Sequence, residues 1–111
     1  MDGKLVVIIS TADVQKARTG AMYGVNALKY GWMEEVKIFF FGPAQDLLLE
    51  DTELQNYVKE YHAMEESAVA CKFISDRDET SDQICELGIR VEYVGKMISD
   101  LINDGYVPMV W

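Results

Sequence analysis

Apolar positions come in two rhythms along this chain. Residues 4–9, KLVVII, form a short β-branched run without helical period, the pattern of a buried parallel strand. Behind it Val14, Ala17, Ala21, Val25 and Leu28 recur at spacings of three and four, which makes one apolar stripe on a helix. The STAD segment ahead supplies turn and cap residues, and Gly31 supplies a stop. Residues 36–41, VKIFFF, predict a second strand. Gly42-Pro43 then turns the chain into a helix over PAQDLLLED, with proline at a tolerated first-turn position. A further helix is expected from near Thr52, because Thr52 and Gln55 have capping-box spacing; Leu54, Tyr57, Val58 and Tyr61 would be its apolar face.

The second half repeats the alternation in shorter pieces. VACKFI, residues 69–74, reads as a third strand, and a short helix over residues 81–87 is closed by Gly88. IRVEYV, residues 89–94, is a fourth strand. KMISDLIN is a helix closed by Gly105, and residues 106–110 are a last strand. Strands alternating with helices predict an α/β sandwich with a mostly parallel five-stranded sheet. Right-handed crossovers would put helices on both faces. Pro108 cannot donate to a ladder, which assigns the last strand to an edge.

Composition narrows the class. The 111 residues make one domain, residues 1–111, large enough for a core without staples. Acidic residues outnumber basic ones 19 to 10, so phosphate neutralisation, and with it nucleic acid, is not expected. The longest apolar runs are far too short to span a bilayer, and no charged, apolar, then small-residue leader opens the chain. Two cysteines are too few for a disulfide framework. The expected setting is cytoplasmic, with no membrane partner. Dinucleotide and P-loop glycine patterns are missing, and His62 has no second ligand at metal spacing, so neither cofactor nor metal is expected.

Candidate chemistry falls to strand ends and thiols. Ligands of parallel sheets sit beyond the C-terminal ends of the strands, which nominates Thr11 beside Ser10, Gly42, Ser75, Asp76, Arg77 and Gly95. On strand alternation Cys71 shares a face with Val69 and Phe73, which makes it a small core residue, and Lys72 points the other way. Cys85 lies about 100° around its helix from Ile84 and is more accessible, but Asp82 and Glu86 flank it and disfavour a thiolate. Tyr30, Trp32 and Trp111 are expected at a contact between subunits.

Several stretches together resemble the DsrE/DsrF-like family, with its TusD-type sulfur-relay subunits and small archaeal peroxiredoxin-like proteins. They are KLVVIISTADVQKARTGAMYGVNALKYGW, VKIFFFGPAQDLL, VACKFISD and LGIRVEYVGKMISDLINDGYVPMVW, and they span nearly the whole chain. The resemblance implies a three-layer α/β/α sandwich assembled as a homotrimer or homohexamer. It also implies a persulfide carried on a cysteine near the end of the strand that VACKFIS matches. Laid on the family's A-C-x-x-C arrangement, Cys71 takes the first cysteine and Ile74 stands at the second. The implied function is a cytoplasmic sulfur carrier or sulfurtransferase with Cys71 as the working thiol, exchanging with donor and acceptor proteins. Thr11, Gly42, Ser75, Arg77 and Gly95 would complete its pocket. The alternative is an oligomeric subunit or small-ligand binder that kept the fold without the chemistry.

Overall fold

The structure is a computed structural model that describes residues 2–111. Eleven elements follow in order: β1 (Lys4–Ile9), α1 (Val14–Lys29), β2 (Glu35–Phe40), α2 (Ala44–Glu50), α3 (Thr52–His62), β3 (Val69–Cys71), α4 (Lys72–Arg77), α5 (Ser81–Glu86), β4 (Arg90–Glu92), α6 (Val94–Asn103) and β5 (Val107–Val110). The strands form one sheet in the order β4-β3-β2-β1-β5, and every pair is parallel. β5, with its proline, lies at an edge, where a missing N–H breaks no inner ladder.

Side-chain alternation splits the core into two layers, so the fold is a three-layer α/β/α sandwich. Leu5, Val7, Ile9, Val36, Ile38, Phe40 and Ala70 face α1, α2, α3 and α5 in the larger layer. Val6, Phe39, Val69 and Cys71 face the other way, against Val94 and Ile98 of α6 and against Tyr106. Four helices thus cover one face, while α6 and the start of α4 cover the other.

α1 has a more specific inner face than its stripe of larger residues suggests. Gly20 and Gly24 are buried with Ala17, Ala21 and Val25. A Cβ on Gly20 would stand 2.6 Å from the Trp111 ring, and one on Gly24 would stand 3.2 Å from Ile38 Cδ1. Trp111 is thus seated by its own chain. Its N–H donates to Ile8 O, and its carbonyl accepts from the Ser10 and Thr11 N–H groups. Tyr30 and Trp32 stay at least half exposed.

Three boundaries differ from expectation. The strand expected over residues 69–74 stops at Cys71, and residues from Lys72 turn into α4, leaving Phe73 65 % exposed instead of beside Val69. Tertiary bonding overrides the β-propensity of KFI. Gln45 Nε2 donates to Cys71 O at 3.1 Å, and Lys72 and Asp76 pair one helical turn apart. The fourth strand is cut to Arg90–Glu92 because Val94 already begins α6. The cap of α3 is Asp51, one residue before Thr52: its carboxylate accepts from Leu54 N–H at 2.8 Å and also pairs with Arg18 of α1. That doubled role tethers the α2–α3 corner to α1. The Arg18 hydrogen bond, chiefly, holds the Asp51 carboxyl below the usual carboxylate range.

Candidate functional site

Loops after β1, β2 and β3 meet along one rim of the sheet, and most sequence-nominated residues lie there. Gly42 turns the chain at φ +124, a backbone that side chains rarely adopt, and an added Cβ would meet Ser10 Oγ at 2.7 Å. Its N–H donates to Gln45 Oε1 at 3.1 Å. Gln45 Nε2 reaches on to Cys71 O, so one amide clips the ends of β2 and β3 together. Gln45 is 1 % exposed. It was not among the nominated residues, yet it had a signal: a lone amide three residues before Leu48 on the apolar face of α2.

The other nominees hold polar bonds of their own. Thr11 Oγ1 accepts from Asp13 N–H. Ser75 is fully buried within 2.6 Å of Ser81 Oγ, and Ser81 in turn donates to Asp76 at 2.6 Å. A hydroxyl has one proton, so Ser75 is the donor to Ser81 and this chain ends on Asp76. Ser81 first, then Lys72, holds the Asp76 carboxyl below its usual range. Arg77 points outward and pairs with Asp78. Gly95 lies in the first turn of α6 with open space around it. Cys71, Gly42 and Ser10 are therefore drawn together through Gln45. Arg77 and Gly95 stand apart on the outer surface.

The two thiols have opposite settings. Cys71 is 5 % exposed and packs with Val69, Val94 and Ile98, as the core reading expected. It also provides the extended N-cap backbone of α4. Cys85 is exposed. Because residues from Lys72 are helical, its ammonium follows the turn of α4 and pairs with Asp76 at 2.9 Å. Its pKa is raised chiefly by Asp76, with Tyr93 and Cys85 adding smaller shares. His62 is also more than a surface residue. Its Nε2 accepts from Ala68 N–H at 3.2 Å, which puts its own proton on Nδ1, and burial lowers its pKa.

A hollow of ≈ 330 Å³ stands beside Ser75, Asp76 and Ser81, but the larger open space lies elsewhere. With α6 the main cover on its face, the sheet is left bare along one flank of that helix. A cavity of ≈ 530 Å³ opens there, with Phe39, Val69, Met97 and Leu101 as its apolar lining and Lys37, Glu66 and Arg90 at its polar rim. A second, shallower hollow continues past Met97 and Asp100 toward Lys72 and Tyr93. The two form one groove. Lys37 shares the inner face of β2 with Phe39 and pairs with Glu66 at 3.3 Å; a single lysine inside VKIFFF was the sequence signal for it. Among the described residues no cluster of three or more His, Cys, Asp or Glu side chains is placed to hold a metal, and no helix is long and apolar enough to cross a membrane.

No described protein family matches the sequence, and no curated protein does. A solved structure, that of a conserved protein of unknown function from Bacteroides thetaiotaomicron, is similar over 97 % of this chain and 95 % of that chain, with TM-score 0.82 and 24 % identity. The likeness is one of fold.

Proposed function

We propose that the protein is a DsrE-like domain that binds a small ligand in the groove beside α6. The observation that carries this reading is the ≈ 530 Å³ cavity with an apolar lining and a charged rim, the usual make-up of a small-molecule site. Cys71 contributes packing here, since a thiol with Val69, Val94 and Ile98 around it has little contact with solvent. A fragment screen followed by NMR tests the reading. Ligands should shift Val69, Met97 and Leu101 together, and fragments that shift only the strand-end rim would overturn it.

A second reading keeps sulfur chemistry. Cys71 stands at the end of β3 and at the N-cap position of α4, where backbone N–H groups favour an anion. In this reading Cys71 is a sulfur carrier that loads only when α6 or α4 lifts, and Ser75 stays engaged with Ser81 and the Lys72 carbonyl. Self-association into a trimer or hexamer, with the exposed Tyr30 and Trp32 at the contact, belongs to both readings. Intact mass after incubation with a sulfane-sulfur donor separates them. Sulfur retained by the native protein and lost in Cys71→Ser supports the carrier. A native protein that stays unloaded, while the denatured chain is alkylated at Cys71, supports the binding domain.

A further inference from the structure

We propose that the wide end of the groove takes an organic cation, an amine carried on an apolar body. This rests on the ligand-binding reading and adds the chemistry of the occupant. Four carboxylates, Glu65, Glu66, Asp100 and Asp104, stand around the apolar lining, against the two cations Lys37 and Arg90. Both cations are already satisfied, Lys37 by Glu66 at 3.3 Å and Arg90 by Glu92. Asp100 is held by Lys96 at 2.8 Å. Glu65 and Asp104 enter no ion pair among the described residues. The rim therefore carries an uncompensated negative charge next to a hydrocarbon surface.

Tyr106 stands within reach of the same carboxylates. Its hydroxyl donates to Glu35 at 2.8 Å, outside the cavity lining. Its pKa is pushed up to about 12 by burial first, then by Glu35, with Asp104 and Glu66 adding to the effect. The smaller share that comes from Asp104 and Glu66 has the sign that disfavours an anionic ligand and favours a cationic one. The apolar lining argues against a bare hydrated ion, which would gain nothing from Phe39 and Met97. An alkylamine uses both parts at once, burying its chain on the lining and setting its ammonium between Glu65 and Asp104.

The test titrates three probes of one length, hexylamine, hexanol and hexanoate, into the intact protein at low salt, following Val69 and Met97 by NMR. Hexylamine should saturate these shifts, hexanol should bind several-fold more weakly and hexanoate most weakly. Asp104→Asn and Glu65→Gln, both at exposed positions, should each weaken hexylamine roughly threefold to fivefold while leaving hexanol unchanged. Hexanol matching hexylamine, or hexanoate exceeding it, would overturn the cation and leave the ligand groove standing. Saturation by none of the three would overturn the groove itself.

Discussion

Replacing Gln45 by leucine isolates the clip at the sheet rim. The two side chains are close in volume, and Gln45 is 1 % exposed, so the change removes polar partners without opening a large void. Gly42 N–H, at a part-buried position, would lose its one acceptor, at 3.1 Å, and its orphaning costs an amount in the lower part of the buried-group range of about 1–3 kcal/mol. Cys71 O would lose a donor at 3.1 Å, but as the N-cap carbonyl of α4 it keeps the first helical bond, so its share falls in the lower part of that range. The expected loss is about 2–4 kcal/mol, a fall in Tm of roughly 10–25 °C for a domain of this size. Thermal and urea unfolding measure it. Native-state alkylation of Cys71 should quicken in parallel, because the clip also fixes the start of α4. Gln45→Glu sharpens the test. Its carboxylate accepts from Gly42 but faces Cys71 O without a proton, so its folded-state pKa is raised. Its stability relative to the native protein should therefore be greatest at acid pH and decline as pH rises. A leucine variant within about 0.5 kcal/mol of the native protein, a shift ordinary for a surface change, would refute the clip.

Four further outcomes are expected. Tyr61→Phe, at a fully buried residue whose hydroxyl donates to Val36 O at 2.6 Å, should cost about 0.5–1.5 kcal/mol by urea unfolding, and no loss would show that bond to be idle. His62 has its pKa lowered by burial, so the folded state resists its protonation; stability should be complete above the unfolded value near 6.5 and fall as pH drops through it, with a flatter profile in His62→Ala. Gly20→Ala should move the Trp111 ring and shift tryptophan emission to the red, whereas unchanged emission would mean the ring has room to yield. Light scattering should give at least twice the 12.6 kDa chain mass, given Tyr30, Trp32 and Val110 on the surface; a single-chain mass at micromolar concentration would dismiss self-association.

The regular parts of the fold were legible because local rules and packing agree there. KLVVII, the α1 stripe, the stops at Gly31, Gly88 and Gly105, and the edge position of β5 all follow from period, turn chemistry and one proline. What escaped was decided by contacts between distant residues. KFI has the composition of a strand and becomes helix because Gln45, 26 residues earlier, takes the Cys71 carbonyl. Asp51 outcompetes Thr52 as a cap because Arg18 of α1 meets it there. Of the nominated site, the strand-end rule led to the right rim and the small hollow at Ser75 and Asp76, but not to the larger groove. The groove depends on how little of one sheet face α6 covers, a matter of helix number per layer that no short motif encodes. Lys37, a polar residue left in an apolar segment, was the closest sign of it.

The pairing of β1 with β5 has a consequence for how the molecule comes to be made. Leu5 meets Val107 and Ile8 meets Val110, so the outer edge of β1 is completed by a strand about a hundred residues further along the chain. On the ribosome β1 can find β2 early, but its other side stays an open row of backbone donors and acceptors until β5 emerges. Such an edge is a template for another nascent copy. Joining β1 to β5 is also a slow kind of contact to form, because the loop it closes is about a hundred residues long. Crowded translation should therefore punish this chain more than dilute refolding does, and a slow or missing β5 would be felt first at β1.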